Sequence, residues 1–195
     1  MEQQIEETDA LLHALASPSA QLDHKAHHAL SARLKHPAFA QLLLHRLAHA
    51  AEQNTRHLAA VLLKRRLGGH WPKLDDATRH AFKTTLLSHL RAEVAPAVRR
   101  ATADLLAVVA RFALPATAGG WPELLELVSS CAASEHEQWR ALSVLLIEAL
   151  LHSEHVADEL RPHFEPLAAL LGRALAEPPP SAVPRGALAA VAAWA

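Results

Sequence analysis

The chain has few of the residues that define several common protein classes. It contains one cysteine, Cys131, so no internal disulfide can form, which fits a reducing compartment. It has no tyrosine and six glycines, four of which form two pairs. No apolar run approaches the roughly 20 residues of a membrane-spanning helix. The first seven residues are acidic and lack the basic-then-apolar pattern of a signal peptide. We therefore expect no membrane association.

A large net charge of either sign is also absent. The chain has 19 lysines and arginines against 20 aspartates and glutamates, a formal net charge of −1. Proteins that bind nucleic acid directly usually show a marked basic excess, so we expect no such binding. Fifteen histidines make the surface charge sensitive to pH near the ordinary histidine pKa.

A helical pattern runs through the whole sequence. Hydrophobic residues make up 51% of the chain, and alternation of the kind seen in strands is hard to find, so the sequence predicts an all-α protein. Apolar spacings of three and four residues predict helical hairpins, stacked as a right-handed α-solenoid of about five HEAT repeats. The first helices are expected at residues 5–16, 38–50, 75–92, 121–133 and 157–176, and the second helices at 20–35, 53–67, 96–113, 136–152 and 182–195.

A basic residue recurs near the start of the second helices, four positions before a small or β-branched residue. The pairs are Lys25/Ala29, Arg56/Ala60, Arg99/Ala103, Arg140/Val144 and Arg185/Ala189. Most of the spacings fall within the roughly 40–47 residues of HEAT-type repeats. We expect these arginines to stabilise the packing between repeats, for instance by bonding carbonyl groups of a neighbouring hairpin.

A second motif marks the junctions between hairpins. Residues 68–74 read Gly-Gly-His-Trp-Pro-Lys-Leu, and residues 119–124 read Gly-Gly-Trp-Pro-Glu-Leu. Glycine accepts the left-handed conformation that ends helices, so Gly68-Gly69 is expected to stop one helix. Proline is favoured in a first turn, so each Trp-Pro is expected to open the next helix. Trp71 and Trp121 are expected to fill the seams between hairpins.

Two stretches carry a family resemblance. Residues 56–67 read Arg-His-Leu-Ala-Ala-Val-Leu-Leu-Lys-Arg-Arg-Leu and are followed by Trp71; residues 121–125 and 138–142 read Trp-Pro-Glu-Leu-Leu and Gln-Trp-Arg-Ala-Leu. In this order and separation they resemble the importin-β (karyopherin-β) nuclear transport receptors. The N-terminal domain of that family is placed at about residues 20–100. The 56–67 helix is most similar to the importin-4 group, and importin-5 carries a similar helix.

The resemblance implies a function. Receptors of this family carry cargo through nuclear pores, and their N-terminal HEAT hairpins bind the GTP-bound form of the GTPase Ran, which releases import cargo. Importin-4-like members are associated with histones and ribosomal proteins, so Ran-GTP and basic proteins are the implied partners, with nucleoporins as further candidates. The resemblance also implies a protein that moves between cytoplasm and nucleus and needs no cofactor. Residues 1–195 are then expected to form one array, the N-terminal part of a longer solenoid.

Helix geometry selects a candidate Ran-binding stripe. If the apolar face of each second helix points inward, the exposed stripe follows the repeat arginine by one, five, eight and twelve residues. The resulting candidates are His57, Val61 and Lys64 in the second hairpin, with Arg65 beside them; Arg100, Asp104 and Arg111 in the third; and Glu148 and His152 in the fourth.

Two other functions stay open. A HEAT-repeat scaffold unrelated to transport would share the same architecture. A HEAT-like DNA glycosylase is disfavoured because it needs a basic groove with an acid and aromatic residues, and the chain has near-neutral charge. No phosphate loop or Gly-x-Ser-x-Gly motif is present, so we predict no enzyme. The His24/His28 and His45/His49 pairs are interpreted as surface histidines, since zinc needs three or four ligands.

Overall fold

The computed structural model describes residues 2–16, 24–115, 120–177, 181 and 183–194. This part of the chain is helical and contains no strand, which confirms the all-α class. The α-helices are α1 (Glu2–Ala16), α2 (His24–Arg33), α3 (Pro37–His49), α4 (Gln53–His70), α5 (Asp76–Ala92), α6 (Pro96–Ala113), α7 (Pro122–Ala132), α8 (Glu137–Leu151), α9 (Glu154–Leu160), α10 (Phe164–Leu175) and α11 (Val183–Trp194). Among these helices, none combines the length and the apolar character of a bilayer-spanning segment.

The chain divides into two compact units, Met1–Leu105 and Leu106–Ala195, and the division falls within α6. In the first unit α3 packs along α4, α1 lies against both, and α3 also contacts α5. Leu47, Leu63 and Phe82 are almost fully buried there. Ala59 and Ala60 are fully buried on α4, and their small side chains allow a neighbouring helix to approach closely. Burial of each large apolar side chain contributes about 1.5–3 kcal/mol to the free energy of unfolding.

The second unit is organised around α8. This helix packs against α7 and α11 and also contacts α9 and α10. Every residue from Leu146 to Leu151 is buried, so α8 has no wide exposed face along that stretch. Gly186 of α11 lies close to α8: a Cβ atom placed there would lie 3.0 Å from Cγ1 of Val144. A side chain at position 186 would therefore be crowded against Val144 unless one of the two helices shifted by a few tenths of an ångström.

Proline and aspartate define where several helices begin. Pro37, Pro96 and Pro122 are the first residues of α3, α6 and α7, a position where the missing N–H has no intrahelical partner to lose. In α5 the cap is a side chain instead. The Asp75 carboxylate accepts a hydrogen bond from the Thr78 backbone N–H at 2.8 Å and another from the Thr78 hydroxyl at 2.9 Å.

The glycine pair at residues 68 and 69 does not end α4, so that expectation is wrong. The helix continues through both glycines to His70, and Gly120, with φ 71°, is the glycine with a left-handed backbone in the described residues. A tertiary contact accompanies the extra turn: the His70 ring Nε2 lies 2.9 Å from the Leu34 carbonyl oxygen. Trp71–Lys73 then forms a 3₁₀ turn, and α5 begins only at Asp76.

The helix expected at residues 157–176 is also different. The structure has α9 and α10 there, separated by a 3₁₀ turn at Arg161–His163 that contains Pro162. The break therefore falls before Pro166, which occupies the first turn of α10, where proline is tolerated. The expectation of one helix over residues 157–176 is therefore wrong.

Candidate protein-interaction surface

Helix α4 carries positive charge and no acid. From residue 53 to residue 74 the sequence contains five lysines and arginines and neither aspartate nor glutamate. Lys64, Arg65 and Arg66 are exposed along its second half, and His57 is exposed near its start. Val61 is partly exposed between them. The outward side of α4 therefore favours a partner surface that carries acidic groups.

Three residues of the predicted stripe come together between α4 and α6. The Lys64 ammonium lies 2.7 Å from an Asp104 carboxylate oxygen, and Arg100 Nε lies 3.8 Å from the other oxygen. The side chains of Lys64, Asp104 and Arg100 are 46%, 30% and 49% exposed. We call these three residues the charge cluster. Lys64 lies on α4, and Arg100 and Asp104 lie on α6, 36 and 40 residues later in the chain.

The other stripe residues lie further along the chain and are described separately. Arg111 is exposed near the end of α6, with its guanidinium 5.7 Å from the ring centroid of Phe112. His152 is exposed at the end of α8, and its Nδ1 lies 2.9 Å from the Glu148 carbonyl oxygen. Glu148 itself is only 7% exposed. Its placement on an exposed stripe is therefore wrong, because neighbouring helices cover α8 on more than one side.

Two of the repeat arginines form the same clamp. Arg56 Nε and Nη2 donate to the two carboxylate oxygens of Glu93 at 2.8 and 3.1 Å, and Nη1 donates to the carbonyls of Ala50 and Ala51 at 3.0 and 2.7 Å. The glutamate lies 37 residues after the arginine. This bidentate, charge-assisted geometry is the strongest kind of arginine–carboxylate pair. It ties the α3–α4 hairpin to the end of α5.

The second clamp repeats the first in the other unit. Arg140 Nε and Nη2 donate to Glu177 at 2.5 and 3.2 Å, and Nη1 donates to the carbonyls of Ser134 and Glu135 at 3.1 and 2.7 Å. The separation is again 37 residues. In both clamps the carbonyl groups belong to the arginine's own hairpin, and the contact with the next hairpin is made by the glutamate. The expectation of bonds to a neighbouring hairpin's carbonyls is therefore wrong.

The remaining repeat positions differ from the two clamps. Arg99 donates from Nε to the Glu93 carbonyl at 3.0 Å, and its Nη2 contacts the same oxygen. Arg185 is exposed on α11.

Both junction tryptophans are buried. Trp71 is 5% exposed and meets Phe82 edge-on, with ring centroids 6.2 Å apart. Trp121 is 1% exposed.

Glu93 and Glu177 were not identified from the sequence, although a signal exists. Both glutamates lie 37 residues after a repeat arginine. Both also follow the end of a helix directly or closely, where a side chain can reach back to the preceding hairpin. A search for acids at a constant distance from the repeat arginines would have found them.

The environment of Glu93 sets its ionisation. Burial by itself raises the pKa of the Glu93 carboxyl, but hydrogen bonds from Arg56 and from the Ala95 backbone N–H outweigh it, so the net pKa lies below its ordinary value of 4.5. The neighbouring His89 is buried, with Nε2 3.5 Å from Glu93. Burial lowers the pKa of His89 below 6.5, and the carboxylate of Glu93 only partly opposes this. The two groups therefore favour an ionised glutamate beside a neutral histidine.

The histidine pairs do not form a larger ligand set. His45 and His49 have ring centroids 4.7 Å apart on α3. Within the described ranges, no group of three or more histidine, cysteine, aspartate or glutamate side chains could hold a metal ion. The side chain of His24 lies outside the described residues, as does that of Lys25, the first of the repeat basic residues.

Comparison with known proteins shows which family this chain belongs to. Residues 26–92 match the family model of the importin-beta N-terminal domain, and residues 94–195 match the model described as IPO5-like, TPR repeats. The chain belongs to the importin-beta family. Human (Homo sapiens) importin-4 is 31% identical over 169 residues, which cover 87% of this chain and 15% of importin-4. This importin-family chain thus spans about one seventh of that relative's length.

Solved structures confirm the fold as a HEAT-repeat helical solenoid. The crystal structure of importin beta in an ammonium sulfate condition superposes with a TM-score of 0.80 at 22% identity, covering 96% of this chain and 24% of importin beta. The structure of Kap121p bound to RanGTP superposes with a TM-score of 0.77 at 18% identity, covering all of this chain and 18% of Kap121p. At these identities the likeness concerns the fold.

Proposed function

We propose that this chain is the N-terminal part of a nuclear import receptor and that it binds Ran in its GTP-bound form. The observation that carries the proposal is the charge cluster formed by Lys64, Arg100 and Asp104. The fold of this chain, over all its residues, matches part of the structure of Kap121p, which was solved bound to RanGTP. Family membership supports the transport role, and the cluster supplies the candidate contact.

The charge cluster has the chemistry of a protein-docking surface. Its ion pairs are 30–49% exposed, and exposed pairs contribute only about 0–1 kcal/mol to stability. Lys64 and Asp104 can therefore exchange their mutual contact for contacts with a partner at little cost. Mixed charges favour one docking orientation over others, so the cluster is suited to selectivity and to fast association.

Basic cargo, such as histones or ribosomal proteins, is the second partner in the proposal. The exposed cations of α4 would repel a basic protein, so this surface suits Ran rather than cargo. Cargo would then bind elsewhere on the receptor and be released when Ran-GTP binds. Passage between cytoplasm and nucleus, with contacts to nucleoporins on the way, belongs to the same proposal, which involves no cofactor and no direct nucleic-acid contact.

Binding to immobilised Ran tests the proposal. The chain is measured by biolayer interferometry against Ran loaded with a non-hydrolysable GTP analogue or with GDP. We expect binding to the GTP form and at least tenfold weaker binding to the GDP form. Arg100→Glu and Asp104→Lys each reverse one charge of the cluster and should weaken binding about tenfold, equivalent to about 1.4 kcal/mol. Arg91→Glu, which reverses an exposed cation on α5, is the matched control for Arg100→Glu and should bind normally.

The possible outcomes separate the alternatives. Equal affinity for both nucleotide states, or none for either, would reject the Ran role and favour a HEAT scaffold unrelated to transport. Preference for the GTP form with no effect of either charge reversal would reject the cluster as the contact. Tight binding of duplex DNA at moderate salt would favour the glycosylase alternative, and we expect no such binding.

A further inference from the structure

A cleft of about 430 Å³ opens in the second unit beside the Arg140–Glu177 clamp. It lies between α8, α10 and the turn that joins α7 to α8. Small side chains form much of its wall, among them Ala133 and Ala174, while Val144 and Leu170 add apolar surface. Its volume lies within the roughly 300–1,000 Å³ of protein pockets that hold ligands.

The polar groups that line the cleft are mostly hydrogen-bond donors. Arg173 is exposed on α10 at the cleft, and within the described part of the chain no bond or ion pair of its guanidinium is seen. Arg140 uses four of its five N–H groups in the clamp, which leaves one Nη2 hydrogen. The Ser134 hydroxyl oxygen accepts from the His136 N–H at 3.2 Å, so its own hydrogen is available to donate.

The carboxylate of the cleft is already engaged. Glu177 is the acid of the lining, and its oxygens accept from Arg140 and from the Ser181 hydroxyl at 2.8 Å. The hydrogen bond from Arg140 holds the pKa of Glu177 below its ordinary value, so the acid stays ionised at neutral pH and balances Arg140. The lining is left with the uncompensated charge of Arg173. A ligand that complements it must supply acceptors and negative charge, together with apolar groups.

We propose that this cleft binds an acidic, aliphatic segment of a partner protein, with a carboxylate of that segment paired to Arg173. Aliphatic side chains of the segment pack on Ala133, Val144 and Leu170, and its backbone carbonyls accept from Ser134 and Arg140. The cleft shares no residue with the charge cluster proposed for Ran, because its residues lie between residues 132 and 177 and the cluster lies in the first unit.

Fluorescence anisotropy with two labelled peptides tests the inference. One peptide alternates glutamate with leucine, and the other alternates glutamine with leucine. Arg173→Gln removes the cation of the cleft. Arg185→Gln, the matched control, removes an exposed arginine on α11 that does not line it. Ala133→Phe places a large ring in the cleft from an exposed position at the end of α7.

We expect the glutamate peptide to bind the unmodified chain and Arg185→Gln equally, Arg173→Gln at least fivefold more weakly, and Ala133→Phe hardly at all. The glutamine peptide should bind at least fivefold more weakly than the glutamate peptide. Equal effects of Arg173→Gln and Arg185→Gln would overturn the proposal, and so would equal affinity for the two peptides. Absence of saturable binding of the glutamate peptide up to about 1 mM, the weakest affinity of interest, would also overturn it.

Discussion

Replacing Arg56 by methionine isolates the contribution of the first clamp. The substitution keeps an unbranched apolar chain but removes the guanidinium that holds Glu93, whose side chain is only 2% exposed. Glu93 then keeps a single neutral donor, the Ala95 N–H at 2.8 Å. Removing one partner of a buried pair costs about 3–5 kcal/mol, and Arg56, at 16% side-chain exposure, retains some contact with water. We therefore expect a loss of about 3 kcal/mol in the free energy of unfolding.

Urea denaturation at pH 7, followed by circular dichroism, measures this loss. Arg56→Met should lower the midpoint. Glu93→Gln should cost less, because the Arg56 guanidinium that it leaves without a counter-charge keeps the carbonyls of Ala50 and Ala51 as acceptors and retains some contact with water. The double variant should cost less than the two single variants added together, since the residues interact directly. Arg140→Met is the comparison in the second unit, and it should destabilise less because its clamp is more exposed, at 27% and 15% for Arg140 and Glu177. A cost below about 1 kcal/mol for Arg56→Met, or strict additivity, would refute the clamp as a stabilising contact.

Three further predictions test other features. Gly69→Ala should raise the free energy of unfolding by about 0.5–1 kcal/mol, because Gly69 is helical with open space around it; a decrease in a urea titration would instead support the helix end expected from the sequence. Gly186→Leu should lower the thermal midpoint, because its side chain would collide with Val144; an unchanged midpoint would contradict the close approach of α8 and α11. Stability should fall as pH drops below about 6.5, when the unfolded chain protonates His89 and His45 more readily than the folded chain does, and fall again below about 4.5 through Glu93. His89→Gln should reduce the first step in pH-dependent urea curves, and an unchanged step would assign it to another group.

The helical repeat could be predicted from the sequence because it depends on periodic features. Apolar residues three and four apart fix which side of each helix is buried, and prolines at first turns fix where helices begin. Ten helices were expected from these features, and most of their boundaries agree with the structure to within a few residues. The same geometry identified Lys64, Arg100 and Asp104 as members of one stripe. It could not show that Lys64 and Asp104 pair, because that depends on the distance between two helices.

Errors arose where a contact distant in sequence outweighed a local preference. Gly68 and Gly69 favour a helix end when considered alone, yet α4 continues to His70, whose ring contacts the Leu34 carbonyl. The prediction that Glu148 is exposed assumed that other helices cover α8 on one side only. In the structure α8 contacts four other helices, and the residue is buried.

The sequence alone determined the all-α class, the repeating hairpins and the recurrence of an arginine at the start of the second helices. These follow from interactions between residues close together in the chain, which leave a periodic trace in the order of residues. The tertiary structure decided which glutamates hold those arginines, where α4 ends, and which charged residues stay exposed. Each of these depends on how closely separate helices approach one another, and that distance is set by the packing of many side chains at once.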